Sequence, residues 1–431
     1  MIEDGNFLFK GGSIFDSTTG EFYSADLLIE DGIIKKMGRI GEIGANLQVI
    51  DAKDQFIVPG LIDIHVHLRE PGREDKETIE TGAQAAMAGG FTAVCCMPNT
   101  YPALDNRSLI EFVKKQARGL LVDVFPIGAV TKERAGKELT EMGDMLEAGA
   151  VAFSDDGDAV ANAEIMRYAL EYSHMLGAPI IDHCEDPFLV RGKVMNEGKV
   201  STLLGQPGAS TVAEDLIVAR DIMLAEFSGG HVHIAHISSG KSVDLVRAAK
   251  STGIKVTAEV CPHHLVLTDE AVKSFDSNLR VNPPIRTEKD AELIIEGLKD
   301  GTIDAIASDH APHTIEDKDV EFAAAAPGMV GLETSVGLVL THLVKKKHLS
   351  LARMVEKMAI EPRRILNLPV PEIQEGQEAN LTLLNATKEW KVDKTKFRSK
   401  SHNTPFHDWQ LTGRSTGVFN HGQWYANSQE T

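Results

Sequence analysis

Apolar, β-branched runs recur along the chain and alternate with segments whose apolar residues return every three or four positions. Eight such runs can be marked, at 56–68, 91–99, 120–130, 150–157, 178–186, 231–239, 255–265 and 303–313. Helical periodicity lies between them at 76–88, 108–118, 163–176, 212–226, 243–251 and 291–299, and after the last run at 334–344. Strands that are apolar on both faces and alternate with helices predict a parallel sheet. Eight repeats of the unit predict an α/β fold, a closed (β/α)8 TIM barrel over residues 56–365. An open doubly wound sheet is the alternative, but no GxGxxG follows the first strand to favour it.

The two ends read differently. Asp31-Gly32 separates short runs at 26–30 and 33–37, a hairpin signal, and His421-Gly422 interrupts a run at 417–425 that follows another at 379–384. Residues 1–55 and 366–431 are therefore β-rich, and each is too short to bury a core alone. They are expected to combine into one small discontinuous β-domain, a β-sandwich beside the barrel.

Composition then removes several classes of function. The 431 residues carry 44 Lys+Arg against 63 Asp+Glu, a net charge of −19. Nucleic-acid affinity rests on Lys and Arg displacing counterions, so no nucleic-acid partner is expected. No apolar run approaches the roughly 20 residues that span a bilayer. The start, MIEDGNFLFKGG, has no basic stretch leading into a long apolar segment, so neither a signal peptide nor a membrane partner is expected. Four cysteines, Cys95, Cys96, Cys184 and Cys261, form no CxxC and suit a reducing cytoplasm.

In barrels of this kind the chemistry sits at the carboxyl ends of the strands. Those ends are loaded here. The first run closes on Asp63-Ile64-His65-Val66-His67-Leu68-Arg69, whose odd positions share a face by the two-residue period. Later runs end in Asp155-Asp156-Gly157, His183-Cys184-Glu185-Asp186, His236-Ile237-Ser238-Ser239 and Ser308-Asp309-His310-Ala311-Pro312-His313. Four histidines and two aspartates converging from five strand ends are hard to explain by packing, since unpaired buried polar groups cost several kcal/mol. A metal is the natural compensation. The ligands exceed what one tetrahedral zinc takes, and a carboxylate able to bridge suggests two ions roughly 3.5–4 Å apart. Spacing alone does not choose between Asp155 and Asp156 as the bridge.

Other residues carry blander expectations. His231 and His233 have the opposite parity to His236 and should face the helical layer. His263 and His264 should orient ligands rather than bind metal. Asp63 should hydrogen-bond within the barrel, Cys184 should be buried and inert, and Lys345-Lys346-Lys347 should cap a helix carboxyl end. The long connection 314–327 is expected to act as a lid.

Several motifs now give the chain a resemblance to a known family. They are 63–72 (DIHVHLREPG), Met97-Pro98-Asn99-Thr100, Asp155-Asp156-Gly157, His183-Cys184-Glu185-Asp186, Pro262-His263-His264-Leu265, Asn282-Pro283-Pro284 and 308–313 (SDHAPH). Over nearly its whole length the chain resembles the amidohydrolase superfamily, and within it the bacterial single-chain dihydroorotases with an aspartate-bridged metal pair. The resemblance implies two zinc ions per chain, one held by His65, His67 and Asp309 and the other by His183 and His236, with Asp156 bridging. Many superfamily members bridge with a carboxylated lysine, whereas no lysine occurs between Lys137 and Lys193. That separates the chain from hydantoinases and dihydropyrimidinases.

The implied activity is the reversible cyclisation of N-carbamoyl-L-aspartate to L-dihydroorotate in pyrimidine biosynthesis, by a metal-bridging hydroxide with Asp309 as general acid/base and His313 as its partner. Arg69 would grip the substrate carboxylate through two parallel, charge-assisted hydrogen bonds. In allantoinases the corresponding position is usually Asn. The resemblance adds His67, Asn99, Asn282, His313 and the Pro327-Gly328 backbone as substrate contacts. Hydrolysis of another cyclic amide (a hydantoin, dihydropyrimidine or allantoin) and an inactive scaffold are the alternative readings. Homodimers are common in the resembling family, but no interface stripe is legible in the sequence.

Overall fold

The structure, a computed structural model, describes residues 2–41 and 47–427. Eight parallel strands form its centre: Leu61–Val66, Phe91–Cys96, Asp123–Pro126, Phe153–Ser154, Ile180–Asp182, Val232–Ile234, Val256–Val260 and Ala305–Ile306. The first three pair in order, as do the last five. Parallel bridges between Gly128 and Phe153 and between Val66 and His310 join the two groups, so the ring closes. Each strand is shorter than the apolar run that predicts it. His236 and Asp309, just past their strands, have φ of 31° and 47°.

Outward residues such as Phe91, Val94, Val124, Val232, Ile234 and Val256 join the layer of surrounding helices. Ile62, Ala93, Cys95, Ile181, Ala235 and Ala305 form a separate inner cluster. The helices follow the expected periodicity, as at Ile79–Gly89, Ala163–Leu176, Val212–Ser228 and Glu288–Asp300. Met142–Ala148, after the third strand, was not anticipated: it is two turns long and buries only Met142 and Met145, too little for a period to show.

The chain ends meet in one nine-stranded sheet. Its amino-terminal strands are Ile2–Asp4, Asn6–Asp16, Glu21–Glu30, Ile33–Gly38 and Leu47–Asp51, and its carboxyl-terminal ones are Leu381–Lys391, Gln410–Asn420 and Gln423–Ala426. Both hairpins read from sequence are present, with Asp31 and Gly32 at φ 51° and 76° and His421 and Gly422 at φ 51° and 75°. Two consecutive positive φ values are what a two-residue turn needs to match strand twist. The sheet curls so that its two ends share a core, with Phe7 5.6 Å from Phe419 and Phe9 5.1 Å from Trp424 between ring centres.

The expected first barrel strand, 56–68, is in fact two strands. Phe56–Pro59 lies in this sheet between Asn6–Asp16 and Leu381–Lys391, and only Leu61–Val66 enters the barrel. Gly60 makes the transition, where a Cβ would fall 1.8 Å from Asn380 Oδ1 and 2.1 Å from Thr92 Oγ1. Only glycine lets the two layers come this close.

Candidate metal centre and substrate cavity

The first strand delivers His65 and His67 to the carboxyl end of the barrel. His65 Nδ1 donates to Glu259 Oε1 at 2.5 Å, which leaves the Nε2 lone pair facing inward, 3.4 Å from Asp156 Oδ1 and 3.7 Å from Asp309 Oδ1. His67 Nδ1 donates to Asn99 Oδ1 at 2.8 Å, with Nε2 2.9 Å from Asp309 Oδ1 and 3.6 Å from Asp156 Oδ2. On the other side, His236 Nε2 and His183 Nδ1 lie 3.4 and 3.7 Å from Asp156 Oδ1. His183 Nε2 donates to Glu185 Oε2 at 3.1 Å. Asp156 therefore faces all four imidazoles. Asp155 turns away and accepts from the Thr131 backbone N–H at 3.0 Å and from the Thr131 hydroxyl.

The donor set fits divalent cations. His65 Nε2 and Asp156 Oδ1 are buried without a hydrogen-bond partner, and His183 Nδ1 and His236 Nε2 face each other at 2.9 Å. Leaving such atoms unpaired is costly. The electrostatics call for positive charge as well. Burial opposes protonation of His183, yet Asp156 and Glu185 outweigh it and raise its pKa to about 10. Burial likewise works against ionised Asp156 and Asp309, and the surrounding imidazoles hold both below the usual carboxylate range. Groups of His, Cys, Asp or Glu close enough to share an ion include His65, His67 and Asp309, and also His65, Asp156 and His236. Hydrogen bonds accepted by Glu259, Asn99 and Glu185 fix the tautomers of His65, His67 and His183, an arrangement that suits metal binding.

A cavity of about 220 Å³ opens over this cluster. Its lining includes His67, Asp156, His183, His236 and Asp309, and with them Arg69, Asn99, Asn282, His313, Pro327 and Gly328. His65 lies below, fully buried. Arg69, at φ 61°, leaves the strand and donates from Nε to Pro312 O at 3.2 Å. Burial lowers its pKa to about 10, so it stays charged at neutral pH.

His313 contacts neither Asp309 nor any metal-facing group, contrary to the expected pairing. Lys76 Nζ lies 3.1 Å from its Nδ1. An ammonium can only donate, so Nδ1 accepts, and the ring proton sits on Nε2, which donates to Pro327 O at 2.8 Å. Burial, with Arg69 and Lys76 nearby, pushes the His313 pKa down to about 3. The connection 314–327 holds a helical turn, Ile315–Lys318, and Lys318 Nζ donates to Ala326 O at 2.8 Å and Gly328 O at 3.0 Å. This loop thus fixes the backbone at Pro327-Gly328.

His233 corrects another expectation. It points into the barrel, not at the helices, with Nδ1 2.8 Å from Thr257 Oγ1 and Nε2 3.3 Å from Glu259 Oε2. His231 also bonds Thr257 Oγ1, at 2.8 Å. The parity argument fails because the strand ends at Ile234 and the backbone reverses at His236. His264 Nε2 donates to Pro283 O at 3.0 Å, beside Asn282. Asp63 accepts from the Ser308 and His65 backbone N–H groups, each at 3.1 Å, and Cys184 is buried. Glu259 and Lys76 went unnoticed in the sequence. The available signal for Glu259 was a carboxylate inside an otherwise apolar run.

Comparison with known proteins agrees with this geometry. Residues 54–242 match the dihydro-orotase-like family model. The chain is 52% identical to a dihydroorotase of Pelotomaculum thermopropionicum, covering 94% of this chain and 95% of the relative. It is 49% identical to one of Acetivibrio thermocellus, with the same coverage. Among solved structures it resembles an L-hydantoinase (dihydropyrimidinase) of Arthrobacter aurescens, with a TM-score of 0.87, 26% identity, and coverage of 100% of this chain and 97% of that one. A D-hydantoinase at 22% identity and TM-score 0.84, with coverage of 98% of this chain and 95% of that one, shares the fold. This chain belongs to the dihydroorotase-like branch of the amidohydrolase superfamily.

Proposed function

We propose that this protein acts as a dihydroorotase, interconverting N-carbamoyl-L-aspartate and L-dihydroorotate in pyrimidine biosynthesis in the cytoplasm. The observation that carries the reading is one cavity holding both a cation-seeking cluster and a half-buried guanidinium, Arg69. Simple hydantoin and dihydropyrimidine rings carry no carboxylate to meet that charge. Two zinc ions would be held by His65, His67 and Asp309 and by His183 and His236, with Asp156 between them. Such ions supply hydroxide at neutral pH and polarise the amide carbonyl.

The chain's own groups do the rest. Arg69 and Asn99 Nδ2 present donors to the substrate carboxylate, His313 holds the Pro327 carbonyl at the cavity wall, and Asn282 and the Pro327-Gly328 backbone contact the ring. Asp309 takes the proton released as the carbonyl is attacked and delivers it to the ring nitrogen when the C–N bond breaks. In ring closure the proton travels the opposite way. General acid/base transfer of this kind is worth about 10²–10⁴-fold.

The test is ring opening of dihydroorotate combined with metal analysis, for the native protein and for Arg69→Ala. Losing a charge-assisted contact of about 2–3 kcal/mol raises KM for dihydroorotate roughly 30- to 150-fold. Preferred turnover of hydantoin by the native protein, or an unchanged KM in the variant, would overturn the reading.

A further inference from the structure

The seventh barrel strand, Val256–Val260, leads into a second group of metal-ligand residues. Cys261 follows the strand directly, and the chain then turns into the short helix Pro262–Val266, where Cys261 O accepts from His264 N at 3.0 Å. The turn folds positions i, i+2 and i+3 back on one another. One donor atom from each of Cys261, His263 and His264 lies within 4.8 Å of the other two. Cys261 is fully buried, and both histidines are only 3% exposed. None of the three belongs to the groups formed around Asp156 and Asp309, and none lines the substrate cavity.

The hydrogen bonding of this group is incomplete in a way that points to a cation. His264 Nε2 donates to Pro283 O, so in the neutral ring Nδ1 carries a lone pair, and that atom is buried without a hydrogen-bond partner. Protonating Nδ1 would only exchange an unpaired acceptor for an unpaired charged donor. His263 Nε2 is likewise buried and unpaired, and the two rings pack with centres 4.3 Å apart. Both atoms forgo the hydrogen bonds they would make in water, a penalty that a ligand removes. A buried water could donate to the two nitrogens, but the thiol is a weak hydrogen-bond partner and would gain little from it. A borderline-soft divalent ion of the zinc class takes thiolate sulfur and neutral imidazole nitrogen together, and so uses all three.

We propose that Cys261, His263 and His264 hold a divalent metal ion of the zinc class, separate from any ion in the Asp156 cluster. Both histidines then act as ligands, where the sequence led to the expectation of orienting groups. The sulfur binds as thiolate and its proton passes to solvent, as metal ligation by cysteine requires. Three protein donors leave a fourth tetrahedral position for a water. The ion also bears on the cavity wall. By drawing on His264 Nδ1 it makes the opposite N–H a stronger donor to Pro283 O, and Pro283 follows Asn282, which lines the cavity. The assignment does not depend on the proposed activity, because its three donors lie outside the substrate cavity.

Absorption spectra of the full chain produced in cobalt(II)-supplemented medium test this, since thiolate-to-cobalt charge transfer absorbs in the near ultraviolet and the Asp156 cluster contains no sulfur. The native protein and Cys184→Ser are expected to show the band, and Cys261→Ser to lack it. Protein loaded with zinc instead should hold one ion per chain more than Cys261→Ser or His263→Gln loaded in the same way. That difference holds whatever number of ions the Asp156 cluster takes and whether or not the protein opens dihydroorotate. Absence of the thiolate band from the cobalt-loaded native protein would overturn the proposal, and this result needs no variant to fold. So would a band that survives Cys261→Ser, or equal zinc content in the native protein and both variants.

Discussion

Replacing Glu259 with Gln separates holding a ligand from holding the barrel. Glu259 is fully buried between His65 Nδ1 at 2.5 Å and His233 Nε2 at 3.3 Å. Burial opposes its charge, yet His65 and His233 keep its pKa at about 2. Gln has the same shape, so no cavity opens. Its carbonyl can still accept from His65, but its amide then points an N–H at His233, which must shift its proton toward Thr257. The charge-assisted bond to His65 becomes a neutral one, a difference of about 1–1.5 kcal/mol, or roughly tenfold in an equilibrium constant. Changes to the groups that orient metal-binding histidines usually cost 10–100-fold in affinity or activity.

Metal affinity of Glu259→Gln is therefore expected to fall about 10–100-fold in a competition titration against a chelator. The melting temperature of the metal-free protein should move little. An unchanged metal affinity would refute the role assigned to Glu259. A large drop in metal-free stability would show instead that the carboxylate serves barrel packing.

Further outcomes follow from neighbouring groups. Lys76→Met should free the His313 tautomer and raise KM for dihydroorotate several-fold with kcat little changed, whereas a change confined to thermal stability would count against it. Glu333, which accepts from the Arg398 and Ser399 backbone N–H groups, has its pKa raised to about 8 by burial. The folded chain then keeps a proton that the unfolded chain loses above about pH 4.5, so stability falls as pH rises through this window and levels off above 8. The slope is about 1.4 kcal/mol per pH unit at most. Glu333→Gln should flatten that segment of a denaturation series, and an unaltered slope would exclude Glu333 as its source.

Much of the molecule was legible because periodicity reports burial. Eight apolar runs separated by helical patterns predicted a closed barrel over an open sheet, and Asp31-Gly32 and His421-Gly422 announced hairpins by turn chemistry alone. Residue types at strand ends likewise revealed a cluster seeking cations, since histidines and aspartates in buried positions demand partners. Three things lay beyond any such pattern. Spacing did not separate Asp156 from Asp155; the resemblance pointed to Asp156, and the physical reason is that Thr131 claims the Asp155 side chain. His233 turned inward because positive φ at His236 broke the alternation on which the parity argument relied. Glu259 and Lys76, far from His65 and His313 in the chain, meet them only when the ring closes. A local sequence states what a residue can do, while its partner and its free face depend on contacts between distant segments.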